Sequence, residues 1–492
     1  MFKKRFLAIL LTAFLLFQAV SLPALADEEE TATPEEPVAS TEPLTPEETI
    51  ASAEPVTPDQ AGSDSGIDAM QALSGPNDLD VDGEAVLLYE MNSGTMVYAK
   101  NIDGRREPAS LTKVMTCLLA LEHGVLTDQV TASAEALADQ DPNGSRSGLM
   151  VGEVFTLEQL LYCLMIQSAN DAAPIIAEHI AGSESAFLDM MNKKAQELGC
   201  TGTHFANTHG LHNEDHYTTA RDMAKIMLAA LEYDKFREIY STTRYELPPT
   251  NLCEESRIMY TTNYLIGTAY TSDYYDSRVI GGKTGFTTPA GWCIMCTAEE
   301  GNLMYLCVVM GASTIETEEY TTYGSFVTAS KIFDHGFDNF DFAEVLSPLA
   351  PVAQLPVKDA TESVVLTPSE AVTTILPENY DETLLVTTYT LSSSEGLAAP
   401  LKAGEVVGTV SIYYDSICVG QTDLVTVTSV EKRAFAAAAA QTAEDIAESP
   451  WRFVIIVVSV LLGILVLLYL WSTWIRWRNR RRRRRRQHRI QR

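Results

Sequence analysis

Glu107-Pro108-Ala109-Ser110-Leu111-Thr112-Lys113-Val114-Met115-Thr116-Cys117-Leu118-Leu119, running on to Gly124, is the stretch on which the reading of this chain turns. Leu111, Val114, Met115, Leu118 and Leu119 recur at i, i+3, i+4, i+7 and i+8, the spacing of one buried helix face, and Gly124 closes the helix. Ser110 and Lys113 share the first turn. The amine can there take the hydroxyl proton, while the helix N-terminus favours negative charge developing nearby. Spacing alone is a weak signal, since average Ser and Lys usage gives a chain of this length about two such pairs by chance. Ser429-Val430-Glu431-Lys432 is one of these, following a strand beside a linker rather than opening a helix.

Outward from this helix, Ala85 to Tyr89 and Thr95 to Ala99 flank Asn92-Ser93-Gly94, a hairpin signal. Helical patterns continue to about residue 240: one opens at Thr156 with Gln159 in capping-box spacing and stops near Gln167, and Asp171 is expected to cap the next, to about Ile180. Strand patterns return at Trp292 to Ala298 and Leu303 to Met310, around a Glu300-Gly301-Asn302 turn. Strands at both ends of a helical middle predict an α/β (α+β) domain over 79–345, with one mixed sheet closed by the first and last segments. Ser363 to Leu366, Thr383 to Tyr389, Val406 to Tyr413 and Thr422 to Val430 predict an all-β accessory domain over 346–433.

Two further motifs follow the first. Ser168-Ala169-Asn170 falls in the break between two helices, where an exposed Ser and Asn can relay a proton and hydrogen-bond a substrate amide. Lys283-Thr284-Gly285 is entered through Gly281-Gly282 on a strand; glycines there are expected to let a bound peptide approach the backbone, and the lysine can receive a carboxylate. In this order the three motifs resemble the penicillin-binding-protein and class A β-lactamase superfamily, with its S-x-x-K, S-D-N and K-T-G set. The nearer resemblance, over about residues 79 to 432, is to D-alanyl-D-alanine carboxypeptidases of the low-molecular-mass penicillin-binding proteins. It rests also on Glu107-Pro108-Ala109-Ser110, His204-Phe205-Ala206-Asn207-Thr208-His209-Gly210-Leu211, Tyr217-Thr218-Thr219-Ala220-Arg221-Asp222, Phe286-Thr287 and Ala290-Gly291-Trp292-Cys293.

The resemblance implies that Ser110 is the acylated nucleophile, Lys113 its general base and Ser168 a proton relay. Asn170 would orient the substrate, and Lys283 and Thr284 would engage its terminal carboxylate. The backbone N–H groups of Ser110 and Phe286 would form the oxyanion hole, Phe286 by position only. It implies a catalytic fold with a mixed sheet between helical layers, removal of the terminal D-alanine from peptidoglycan stem peptides, with β-lactams as covalent inhibitors, and no cofactor.

The 492 residues carry 35 Lys+Arg against 66 Asp+Glu, net −31, but the charge is unevenly placed. Eleven arginines lie between Arg476 and Arg492, and Lys3, Lys4 and Arg5 stand at the start; the stretch between carries −45. That excludes binding the outside of a nucleic acid by bulk charge. Residues 1–26 read as a signal peptide, with an apolar run from Phe6 to Phe17 and Ala24-Leu25-Ala26 at the cleavage site. From Asp27 to Asp68 there are 13 acids and no Lys or Arg, an acidic disordered linker extending to about residue 78. An alanine-rich stalk over 434–452 leads to Phe453 to Ile475, an uncharged stretch of 23 residues, about 35 Å as a helix and enough to span a membrane. Many relatives attach instead through an amphipathic helix lying on the surface. Residues 476–492 make a basic cytoplasmic tail, which places the catalytic region outside.

Eight cysteines in so long a chain exclude a disulfide scaffold, and they are expected to be buried free thiols, with Cys293 and Cys296 pointing to opposite faces of a strand. Three other functions compete. His204, His209, His212, His216 and Asp215 cluster as in a zinc site, but without H-E-x-x-H, and no metal is expected. A β-lactamase needs a second base for its acyl-enzyme, for which Glu184 and Asp189 are candidates. A catalytically silent wall-binding scaffold would leave three intact motifs unexplained.

Overall fold

The computed structural model describes residues 54–55, 67, 71–75, 79–138, 141–142, 144–316, 321–433 and 450–490. The expected leader over 1–26, nearly all of the acidic segment 27–78 and the stalk over 434–449 lie outside the described residues.

Five strands form the central sheet: β1 (Ala85–Glu90), β2 (Thr95–Lys100), β3 (Val279–Thr287), β4 (Gly291–Glu300) and β5 (Leu303–Ala312). Their order is β2-β1-β5-β4-β3, so β3 lies at an edge. The strand directions are more uniform than the sequence suggests: every adjacent pair is antiparallel. One hairpin, β1-β2, and one three-stranded meander, β3-β4-β5, make up the sheet, and β5 pairs back onto β1 to join them.

Alternation along each strand fills both faces. Leu306, Val308, Met310, Cys293 and Met295 point into one core, Tyr305, Cys307, Val309, Ile294 and Cys296 into the other. Strands buried on both sides lose the apolar-polar alternation, which is why β4 and β5 read as continuous apolar runs. Cys293 and Cys296 stand on opposite faces; six of the eight cysteines are buried as expected, whereas Cys253 is half-buried and Cys418 exposed, and no disulfide joins any of them. The first core is helical, built around α1 (Lys113–His123), α2 (Leu157–Ile166) and α3 (Ala172–Ala181). The second packs under the helix Gly324–Asn339.

Beyond it, Leu385–Leu391, Val406–Tyr414, Ile417–Thr426, Ser363–Pro368 and Ala353–Pro356 lie side by side, all antiparallel, while Phe340–Leu346 pairs with Val372–Pro377. The last long strand begins at Ile417, not Thr422. Asp415 and Ser416 both adopt positive φ (45° and 71°) and turn the chain in two residues, a hairpin geometry usually marked by glycine. Residues 382–384 form a short 3-10 turn before the strand expected from Thr383.

A single helix covers Pro450–Ile490. Within it Val457–Arg478, of mean hydropathy 2.1, is the one helix among the described residues long and apolar enough to cross a membrane.

Candidate active site

Ser110 sits in a 3-10 turn, Ala109–Thr112, that runs directly into α1. Ala109 holds a left-handed φ of 46°, uncommon for a residue with a Cβ. Lys113 is fully buried. Its Nζ lies 2.9 Å from Ser110 Oγ, 2.7 Å from Asn170 Oδ1 and 2.6 Å from the His209 carbonyl oxygen. Burial, and then the charge of Lys283, hold this amine well below the ordinary lysine range, against an opposing pull from Asp171. A neutral amine has two N–H groups and one lone pair. Asn170 Oδ1 and the His209 carbonyl can only accept, so they take both N–H groups and leave the lone pair for the Ser110 hydroxyl.

Ser168 and Asn170 are presented where α2 ends. Thr156 and Gln159 close the capping box that starts α2. Ser168 adopts φ 58°, a strained conformation of the kind found at functional sites. The Asn170 N–H donates to the Ser145 carbonyl at 2.8 Å. Asp171, expected to cap α3, does not: its backbone is helical (φ −69°, ψ −26°), outside N-cap geometry. Its buried carboxylate accepts instead from the N–H groups of Ser147 (3.1 Å) and Leu149 (3.0 Å), and so fixes the loop that holds Asn170.

On β3, Lys283 is buried and donates to Ser168 Oγ (2.8 Å) and its neighbour's carbonyl at Thr284 (2.8 Å); burial brings its pKa down to about 7. Thr284 Oγ1 lies 2.6 Å from Thr262 Oγ1. The glycines have a different use from the one expected. A Cβ on Gly281 would strike the Tyr240 ring at 2.2 Å, and one on Gly282 would strike Asn263 Nδ2 at 2.4 Å. Both serve packing inside the protein. Gly285 faces the site: its Cβ would lie 2.9 Å from the Ser110 nitrogen, so glycine lets β3 abut the Ser110 turn. The Phe286 side chain is half exposed, its ring 4.5 Å from Trp292.

The histidines that could have formed a metal site each have other partners. His204 Nδ1 meets the Asp215 carbonyl (2.6 Å), His209 Nδ1 accepts from the Leu211 N–H (3.2 Å), and His212 pairs with Glu107 (2.9 Å). His216 is buried behind the nucleophile. Its Nδ1 accepts from the Ala206 N–H (2.9 Å), so the neutral ring donates through Nε2 to Thr112 Oγ1 (2.7 Å), whose hydroxyl donates to the Ala109 carbonyl (2.8 Å). This chain of bonds holds the Ser110 turn from below.

Burial above all, with smaller contributions from His204 and Lys113, lowers the His216 pKa to about 4; His209, buried and beside Lys113, falls to about 3. Unfolded histidines titrate near 6.5, so between those values the unfolded chain binds more protons and stability falls as pH falls. The His216 contribution amounts to about 3 kcal/mol lost between pH 7 and pH 4. Denaturant titration at both pH values should show that loss, and His216→Gln should make it shallower by a similar amount. An equal pH dependence in the variant would refute this role.

Ser110, Ser168, Asn170, Thr284 and Phe286 line one cleft of about 790 Å³, with Lys113 and Lys283 buried beneath Ser110 and Ser168. The same cleft is lined by Thr262 and Tyr264, which lie in no motif, by Trp292 of the Ala290-Gly291-Trp292-Cys293 stretch, and by His212 of the histidine cluster. A hydroxyl beside a buried amine whose pKa is pushed well down, a second hydroxyl beside a second lysine, and an edge strand form an apparatus suited to acyl transfer on a peptide.

Residues 70–314 match the family model D-alanyl-D-alanine carboxypeptidase, and residues 343–432 match that of the penicillin-binding protein 5 C-terminal domain. The D-alanyl-D-alanine carboxypeptidase DacF of Bacillus subtilis is 30% identical over 360 residues, 72% of this chain and 87% of the relative. DacA of Escherichia coli is 30% identical over 366 residues, 72% and 85% of the two chains. Among solved structures, penicillin-binding protein 5 from Haemophilus influenzae superposes with a TM-score of 0.57 at 29% identity, covering 72% of this chain and 99% of that one.

Proposed function

The chain belongs to the D-alanyl-D-alanine carboxypeptidase family, and from that premise we propose that Ser110 carries the reaction as a covalent acyl-enzyme on peptidoglycan stem peptides ending in D-Ala-D-Ala. The observation that carries this reading is the buried Lys113 amine, 2.9 Å from Ser110 Oγ, with its other partners confined to acceptors. Lys113 takes the Ser110 proton as Oγ attacks the penultimate D-Ala carbonyl. The N–H groups of Ser110 and Phe286 receive the oxyanion, a role that the close approach of Gly285 to the Ser110 nitrogen supports. Ser168, bonded to Lys283, passes a proton to the departing D-alanine nitrogen. Asn170 orients the peptide amide, while Lys283 and Thr284 attract the terminal carboxylate. Hydrolysis then frees the enzyme.

The apolar span near the C-terminus tethers the enzyme to the membrane, with the catalytic region outside and the arginine tail within. β-Lactams acylate the same serine. Mapping tests this: incubation of the full-length protein with a penicillin, followed by proteolysis and mass spectrometry, should find the adduct on the peptide containing Ser110, with Ser110→Ala as the blank. An adduct on another residue, or D-alanine release by Ser110→Ala at the parent rate, would remove the proposal.

A further inference from the structure

Hydrolysis of an ester on Ser110 needs an acceptor for the proton of the attacking water. Glu184 and Asp189, the candidate carboxylates between the second and third motifs, stand elsewhere, and the carboxylate that does line the cleft, Asp141, lies in the stretch before the second motif. Glu184 accepts from Thr208 Oγ1 at 2.8 Å, Asp189 is exposed on the helix Glu184–Glu197, and neither is among the described residues that line the cleft. His212 does line it, and its Nδ1 lies 2.9 Å from Glu107 Oε1.

Both members of this pair are tied to the nucleophile's own element. Glu107 precedes Ser110 by three residues. His212 follows His209, whose carbonyl accepts from Lys113 Nζ at 2.6 Å, and Gly210, where a Cβ would lie 1.8 Å from the Ala109 carbonyl oxygen. The backbone on either side of the pair is therefore tied to the turn that carries the serine, while the His212 ring, half exposed, lines the cleft. A carboxylate at Nδ1 fixes the tautomer, placing the proton on Nδ1 and the lone pair on Nε2, where it can accept a proton.

We propose that His212, oriented by Glu107, is the general base of the hydrolytic half of the reaction, with Glu107 a positioning residue. His212 Nε2 takes one proton from water, and the hydroxide oxygen bonds to the acyl carbon. As the ester C–O bond breaks, Ser110 Oγ takes that proton back, and the product leaves as a carboxylic acid that ionises in solvent. The inference rests on the acyl-enzyme reading of Ser110.

The test separates the two halves of the reaction in the full-length protein. Acylation by a fluorescent penicillin and the release of its adduct are timed for the parent, His212→Gln and His212→Asn, and kcat and KM are measured on a peptide ending in D-Ala-D-Ala. Acylation within about twofold of the parent, release slowed at least about tenfold, and a joint fall of kcat and KM are expected, in keeping with the usual size of general-base catalysis. Glu107→Gln should slow release less, and Glu107→Asp should recover part of it. Unchanged release in both His212 variants would leave Lys113 as the base for both halves and overturn the inference. So would equal slowing of acylation and release, the signature of a displaced Ser110. Failure of the parent to form any adduct on Ser110 would overturn the acyl-enzyme reading, and this inference with it.

Discussion

Replacing Lys113 by methionine is expected to lower the rate of Ser110 acylation by about three orders of magnitude, within the range by which positioned proton acceptors speed such steps. Methionine fills similar space in a site that is already fully buried, so the loss falls on proton transfer rather than on packing. It also leaves Asn170 Oδ1 and the His209 carbonyl without their donor, at a cost of about 1–3 kcal/mol for each group left unsatisfied. Lys113→Arg sharpens the test. A guanidinium keeps positive charge and donors at the site but does not give up its proton. If Lys113 serves as a base, arginine fails as badly as methionine; if it serves only as a nearby charge, arginine works. Stopped-flow acylation of the two variants decides between these, and substantial activity in Lys113→Arg would exclude the base role.

Gly210→Ala is expected to be the most damaging single methyl group in the catalytic region. Gly210 has φ 91°, a conformation that an L-residue adopts only with strain, and its new Cβ would stand 1.8 Å from the Ala109 carbonyl oxygen. Strain and overpacking together cost about 4 kcal/mol or more. The obstructing atom belongs to backbone, so it cannot swing aside as a side chain would. Relief requires moving the residue just before Ser110, and displacements of about 1 Å at a reacting group cost about a hundredfold in rate. The folded fraction should therefore be inactive as well as scarce. Thermal denaturation followed by penicillin labelling of the soluble protein measures both effects, and near-parent labelling would show that the loop yields without disturbing the serine.

These two residues differ in how readily the sequence exposes them. Lys113 is legible because its partner lies one helical turn away and the apolar spacing fixes their shared face. The capping box of Thr156 and Gln159 is legible for the same reason, since both residues answer to local geometry. Gly210 is not, because what excludes a side chain there is the carbonyl of Ala109, far away in the chain. The His216 to Thr112 bond spans 104 residues and is equally hidden. Gly281 and Gly282 show the converse error: a glycine pair beside a motif invites a ligand-centred explanation, although Tyr240 and Asn263 already account for both. Asp171 misleads because aspartate is a good helix cap by composition, while its backbone here is already helical. In the C-terminal region, the strand Ala353–Pro356 is hidden because it has only four residues and ends in a proline that offers no N–H to a ladder.

Trp292, which lines the cleft with its ring 4.5 Å from Phe286 and from Tyr323, has one further property. The other four tryptophans, at positions 451, 471, 474 and 477, all belong to the C-terminal helix that carries the apolar span. A form ending at residue 433 would contain a single indole, on the wall of the cleft that holds Ser110. The enzyme thus carries its own optical reporter, and the emission of that form would follow occupancy of the cleft without any added label.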